Sequence, residues 1–247
     1  MRALALVLSL AACGRLRFEP TADDASGDGA GGGDAHSGSG DGSIAMGDGA
    51  AGGPCGATVA LADDFGDGVT APEWTTLTGS NLTLAETGGF LQITFATNVP
   101  SNQKAGYQQT ATLDYTGSCT IVELDEIPSA TANGRLEIRL SMGPTNYVLF
   151  EILAGELYAI SYDGTNIMNV YMAAWTLASH RFLRIREHNG SWFWDISGDG
   201  VTYNQAATTT QAIAGQTAAT LALFVSTSAG VSNGGQVQFG SAQVLVP

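Results

Sequence analysis

One stretch, His180–Tyr203 (HRFLRIREHNGSWFWDISGDGVTY), limits what this chain can fold into more than any other. Asn189-Gly190 sits between two alternating segments. A two-residue type I′ loop needs positive φ at both central positions, which Asn and Gly tolerate best. So short a loop also fixes register: His188 faces Ser191, Glu187 faces Trp192, Arg186 faces Phe193, Ile185 faces Trp194, Arg184 faces Asp195 and Leu183 faces Ile196. Side chains alternate between the faces of a strand. Leu183, Ile185, Trp194 and Ile196 therefore share an apolar face, and Arg184, Arg186, Phe193 and Asp195 share the other. A slip of one residue would turn the apolar set to water. The stretch predicts a β-hairpin with one face on a core.

The chain around it repeats the theme. Between Ala57 and Pro247, short alternating or apolar segments recur at Phe90–Phe95, Cys119–Leu124, Arg135–Ser141, Tyr147–Leu153, Glu156–Tyr162, Ala219–Ser226 and Gln236–Val246. Turn signals separate them: Asn133-Gly134, Gly143-Pro144, Asp163-Gly164 and Asn233-Gly234. Many short strands joined by Gly-rich turns predict an all-β sandwich or barrel. Roughly 190 residues suffice to bury a core between two sheets. In Arg135–Ser141, Leu136, Ile138 and Leu140 point one way and Arg135, Glu137 and Arg139 the other. The alternation of the last segment changes phase near Gly240-Ser241, which predicts a bulge or bend. Thr220–Val225 is apolar almost throughout, as a central strand would be.

These residues resemble the concanavalin A-like lectin/glucanase superfamily, the jelly-roll sandwich of legume lectins and laminin G modules. The resemblance rests on Leu61-Ala-Asp-Asp-Phe65 with Trp74 downstream, on Phe182-Leu-Arg-Ile-Arg186 followed by a Gly turn and an aromatic strand, and on a closing strand that returns beside the first. It implies a two-sheet antiparallel jelly roll over residues 57–247. The superfamily includes sugar-binding domains, adhesion modules and glycoside hydrolases, so the fold does not choose among them.

The N-terminal part reads as an address and a tether. Met1-Arg2 and the apolar run that follows form an export signal over residues 1–12, too short for a bilayer span of about 20 apolar residues. Leu10-Ala11-Ala12-Cys13 resembles the bacterial lipobox, whose cysteine is diacylated after cleavage just before it; two chains give stable anchoring. The alternatives are a plain signal peptide or a core element that begins the chain. Gly14 in place of Asp after the cysteine favours, by that resemblance, the outer membrane of a bacterial envelope. Residues 13–56 then carry the acylated terminus and a Gly/Ala/Ser/Asp-rich segment that cannot bury enough apolar surface to fold alone. Its acidic residues would keep it extended as a flexible linker. Cys55 and Cys119 remain in an exported chain where oxidation is permitted. They either pair, fastening the linker to the domain, or are two small buried thiols.

Several constellations invite chemical readings. Glucanases of the resembled superfamily place Glu-x-Asp-x-Glu along one strand, with one carboxylate as nucleophile and another as acid/base. Glu123-Leu-Asp-Glu-Ile127 departs from that pattern: Glu123 and Asp125 align, Ile127 takes the third position, and Glu126 faces the opposite way unless a bulge redirects it. Ser197-Gly-Asp-Gly-Val-Thr-Tyr203 resembles a shortened Asp-box, which implies a structural turn around Asp199. Asp63, Asp64 and Asp67 cluster as Ca²⁺ ligands can, but the expectation is a solvated edge, with no metal and no cofactor. Past the linker the cationic side chains are Lys104, Arg135, Arg139, Arg181, Arg184 and Arg186. Arg184 and Arg186, with Phe193, form an outward stripe on the hairpin that suits an anionic glycan or lipid headgroup, with Arg135 and Arg139 beside it if the two strands are neighbours. The bland alternative is cross-strand pairing with Glu137, Glu187 and Asp195.

A net charge of −14 argues against nucleic acid as a partner. No Gly-rich loop leads into a helix, which argues against nucleotide. No nucleophile–base pair is apparent, and His180 and His188 both fall on the outward face of the predicted hairpin strand. The sequence therefore predicts a non-enzymatic, lipid-anchored binding module that faces the surface or the periplasm, with bilayer and glycan as partners. The alternatives are a glycoside hydrolase of the same fold or a purely structural, adhesive lipoprotein.

Overall fold

The structure is a computed structural model that describes residues 55–129 and 133–247. The export signal, Cys13 and the linker up to residue 54 lie outside the described residues. Fifteen strands appear in chain order: β1 Thr58–Asp63, β2 Trp74–Leu77, β3 Leu82–Thr87, β4 Phe90–Phe95, β5 Lys104–Gln109, β6 Cys119–Glu126, β7 Gly134–Ser141 and β8 Asn146–Leu153. They continue as β9 Glu156–Asp163, β10 Ile167–Ala174, β11 Phe182–His188, β12 Ser191–Ser197, β13 Asn204–Thr209, β14 Thr220–Thr227 and β15 Gln236–Val246. One helical turn, α1 (Leu177–His180), precedes β11.

The strands form two antiparallel sheets of a jelly-roll sandwich. Sheet I runs β13-β12-β11-β6-β15-β4-β3, with β1 also on β15. Sheet II runs β10-β9-β8-β7-β14-β5-β2. The hairpin pairs with the register that its Asn-Gly loop dictates, from His188 opposite Ser191 to Leu183 opposite Ile196. Asn189 and Gly190 hold φ values of 52° and 77°, as a type I′ turn requires. The first and last strands lie side by side, Leu61 opposite Val244. Strand β15 borders β4 through Gln236–Phe239 and β1 further on. Between these two halves its register with β6 shifts around Gly240, where the sequence changes phase.

Alternation sends one apolar row from each strand into the space between the sheets. Sheet I contributes Leu91, Ile93, Val122, Leu124, Leu183, Ile185, Trp192, Trp194, Val237 and Phe239. Sheet II answers with Leu136, Ile138, Leu140, Val148, Phe150, Ile152, Leu157, Leu221, Leu223 and Val225. Each such side chain gains about 1.5–3 kcal/mol from burial, against the entropy of ordering it. A polar group spans the layer as well: Trp194 Nε1 in sheet I donates to the Leu149 carbonyl in sheet II at 3.0 Å. A buried indole N–H needs such a partner.

Three local expectations change. His180 closes α1 instead of opening the hairpin strand; it is buried, and its Nδ1 accepts the Thr176 N–H at 3.0 Å. Desolvation holds its pKa below the ordinary histidine value. Glu126 does not face away from Glu123: the ladder slips opposite Gln238 and Phe239, making Asp125 the extra residue. This turns Glu126 to the outer face, where Gln236 Nε2 donates to it at 3.0 Å. Finally, β7 with Arg135 and Arg139 belongs to sheet II and the hairpin to sheet I. Their arginines therefore form no single stripe.

Candidate functional site

The outward face of the hairpin is a packed ion cluster. Asp195 is 0% exposed, Arg186 1% and Arg184 6%. Arg184 Nε and Arg186 Nε both donate to Asp195 Oδ2, at 2.9 and 2.5 Å, and Arg186 Nη2 donates to Oδ1 at 3.1 Å. The Tyr203 ring lies 4.0 Å from the Arg184 guanidinium carbon, and the half-buried Phe193 ring 4.9 Å from that of Arg186. Cys55 and Cys119 are joined by a disulfide on this same face, their Cα atoms 5.2 Å apart. The Arg184 Nη1 comes within 3.9 Å of the Cys55 sulfur. The solvent-facing stripe expected of Arg184, Arg186 and Phe193 is thus corrected: aromatic rings and the Cys55 segment cover the guanidiniums, and both are committed to Asp195. Burial pushes the Tyr203 hydroxyl up to about 12.

The other acidic candidates are committed to the fold. Arg181 Nη2 bridges Glu123 and Asp125 at 2.8 and 3.0 Å. Asp63 accepts the Phe65 N–H on one oxygen and Trp74 Nε1 on the other, each at 2.8 Å. Asp64 and Asp67 accept the backbone N–H groups of Gly66 and Val69. Among the described residues no group of three or more His, Cys, Asp or Glu side chains is placed to hold a metal. Asp199 Oδ1 accepts the Val201 and Thr202 N–H groups, and these bonds hold its pKa down to about 2.

The outer face of sheet II is different. Because Leu136, Ile138 and Leu140 point inward, Arg135, Glu137 and Arg139 point out. Register carries that face sideways: Glu137 stands opposite Glu151 on β8 and opposite Phe224 on β14, and Phe224 stands opposite Gly106 on β5. Further out, Ser141 meets Tyr147, Tyr147 meets Tyr162 on β9, and Glu151 meets Tyr158. The edge strand β10 adds Ile167 and Met172, both well exposed.

Charge on this face is layered. Glu137 pairs with Arg139 and Glu151 with Arg135, each at 3.2 Å. The glutamate side chains are only 7% and 12% exposed, whereas the arginines reach 26% and 34%. Carboxylates lie below and guanidiniums above. Ser226 Oγ donates to Glu137 Oε1 at 3.1 Å. Desolvation pushes the Glu151 carboxyl above its ordinary value, with Arg135 opposing. The cations rest on rings: Arg139 sits 4.2 Å over Tyr147, and Lys104 Nζ 4.0 Å over Phe224. The Tyr147 and Tyr162 rings are 5.2 Å apart and tilted. At the Lys104 end the face opens into a cleft of about 320 Å³ lined by Asn102, Gln103, Lys104, Arg135, Ser226, Thr227 and Ser228.

The sequence placed Arg135, Glu137 and Arg139 on one face but gave Lys104, Tyr147, Glu151, Tyr162 and Phe224 no part in it. The alternation of Tyr158, Ile160 and Tyr162 and of Tyr147, Leu149 and Glu151 was a readable signal for β9 and β8. The pairing of β14 with β5 was not.

No protein-family model matches the chain, and neither does any curated protein. Solved structures share its fold. The GH43 BlXynB protein from Bacillus licheniformis aligns at a TM-score of 0.56 and 14% identity, over 75% of this chain and 39% of that one. SCLam, a non-specific endo-beta-1,3(4)-glucanase from family GH16, aligns at 0.57 and 12%, over 76% and 90%. The carbohydrate recognition domain of Emp47p aligns at 0.52 and 12%, over 74% and 93%. The chain thus spans 39% of the GH43 protein's length, and at these identities the likeness is one of fold.

Proposed function

We propose that this chain is a non-enzymatic glycan-binding module whose contact surface is the outer face of sheet II. One observation carries the reading: tyrosine rings and guanidiniums form the top layer of that face, and the carboxylates lie beneath them. Tyrosine offers a flat apolar surface with a polar tip, which suits the C–H face and rim hydroxyls of a sugar ring. Arginines present fixed forks of donors to sugar oxygens. A glucanase and a carbohydrate recognition domain among the similar folds support a carbohydrate ligand. Hydrolysis would require two reachable carboxyls about 5–5.5 Å apart for retention. Glu137 and Glu151 are cross-strand neighbours, but each is covered by its own arginine, and Glu123 and Asp125 are clamped by Arg181. This arrangement favours binding over cleavage.

The test is a glycan array with the full chain, followed by calorimetry on each hit. Tyr147→Ala and Arg139→Ala should each weaken binding at least tenfold. Unchanged affinity in both variants would overturn the assignment of the face. Release of reducing ends that disappears in Glu151→Gln would replace the reading with a hydrolase.

We also infer that Cys13 is diacylated and holds the chain to a bacterial membrane, the outer membrane being favoured by Gly14. What supports this is the match of Leu10–Cys13 to the lipobox. Mass spectrometry of the mature chain should find an acylated N-terminal cysteine that Cys13→Ala lacks; an uncut chain in both would refute it.

A further inference from the structure

Granting that this face binds glycan, we infer that its ligand is an acidic one: the carboxylate of a uronic acid seats in the cleft between Lys104 and Arg135. The charge distribution is the first argument. Residues 57–247 carry sixteen carboxylate side chains and only six cationic ones, yet three of the six, Lys104, Arg135 and Arg139, gather on the outer face of sheet II. Two are neutralised from below by Glu151 and Glu137. Lys104 has no ion-pair partner among the described residues. It keeps its ammonium over Phe224 at the mouth of the cleft, where desolvation already lowers its pKa. A bound oxyanion would give it a direct partner, where the protein supplies only the longer-range attraction of Glu137.

The second argument is the lining. Arg135 Nε is buried without a partner, and the Asn102 side-chain amide and the Ser228 hydroxyl, both on exposed residues, make no hydrogen bond among the described residues. The cleft thus offers an oxyanion a guanidinium N–H, an amide N–H and a hydroxyl, the last two able to accept as well. The third argument is rigidity. The Asn102 N–H donates to the Thr227 carbonyl at 2.6 Å, and the Gln103 N–H to Thr227 Oγ1 at 3.0 Å. The Thr227 N–H in turn donates to the Gln103 carbonyl at 3.0 Å, and the Thr227 hydroxyl donates to the Pro100 carbonyl at 2.7 Å. The rim is built before any ligand arrives, which lowers the ordering cost of binding. A cleft of about 320 Å³ is at the small end of ligand sites, roughly 300–1,000 Å³, the scale of a single sugar unit at the end of a longer chain.

The experiment compares uronic-acid oligosaccharides from pectin, alginate and glycosaminoglycan with their carboxyl-methylated forms, using the full chain. At least one acid form should bind ten times more tightly than its ester, and that preference should fade with rising salt. Lys104→Met keeps the packing over Phe224; it should abolish the preference for acid over ester. Equal binding of acid and ester, or a preference untouched by Lys104→Met, would overturn the inference and leave the glycan reading standing. Silence toward acid, ester and every neutral glycan on the array would remove the glycan reading itself.

Discussion

Asp195 has no route to water, and its two oxygens accept three guanidinium hydrogen bonds from Arg184 and Arg186. Taking one carboxylate and two guanidiniums out of water costs several kcal/mol per ion, which their mutual attraction offsets only while all the partners remain. Asp195→Ala would leave two cations buried side by side. It should destabilise the domain by about 3–5 kcal/mol in urea titration. Arg181→Ala, whose side chain is 40% exposed, should change stability by no more than about 1 kcal/mol. Similar losses for the two would mean that the cluster is not dry. The same residues show where alternation stops informing. Period two correctly places Arg184, Arg186 and Asp195 on the face opposite Leu183 and Trp194. It does not say whether that face meets water, because the covering groups lie outside the two paired strands: Tyr203 follows the turn after β12, and Cys55 comes from far earlier in the chain.

Strands β5 and β14 form the floor of the candidate site, and their contact depends on one residue without a side chain. Gly106 holds φ at 150°, and a Cβ there would fall 2.1 Å from the Leu223 carbonyl oxygen and 2.5 Å from the Phe224 Cα. Phe224 can therefore lie across β5 and support Lys104. Gly106→Ala should cost roughly 2–4 kcal/mol through backbone strain and overpacking, read as a fall in melting temperature. It should also weaken glycan binding at the Lys104 end. A wild-type melting curve would refute the close approach. Elements differ in how far the sequence reveals them for a related reason. A two-residue loop dictates the pairing of β11 with β12 residue by residue. No loop relates Lys104 to Ser226 or Glu137 to Phe224, more than eighty residues apart in each case, so the site formed by those pairs was illegible. Short or edge strands such as β2, β10 and β13 also escaped; β2 and β13 carry too few large apolar residues for alternation to show.

For the molecule as a whole, the disulfide decides which side of the sandwich the chain enters. Cys119 shares a face with Ile121, Glu123 and Arg186, the outer face of sheet I, because Val122 and Leu124 point into the core. Cys55 is thus pinned on the side opposite the tyrosines and cations of sheet II. The bond closes a loop of 64 residues, and cross-linking a loop of that length removes denatured-state entropy worth about 2–4 kcal/mol. Paired Cys55→Ser and Cys119→Ser substitutions should therefore lower the unfolding free energy from urea titration by that amount, and reductant should do the same to the parent protein. Glycan affinity should stay within twofold, since no residue of the sheet II face touches the bridge. If affinity fell along with stability at temperatures where the domain remains folded, the two faces would be coupled through the core.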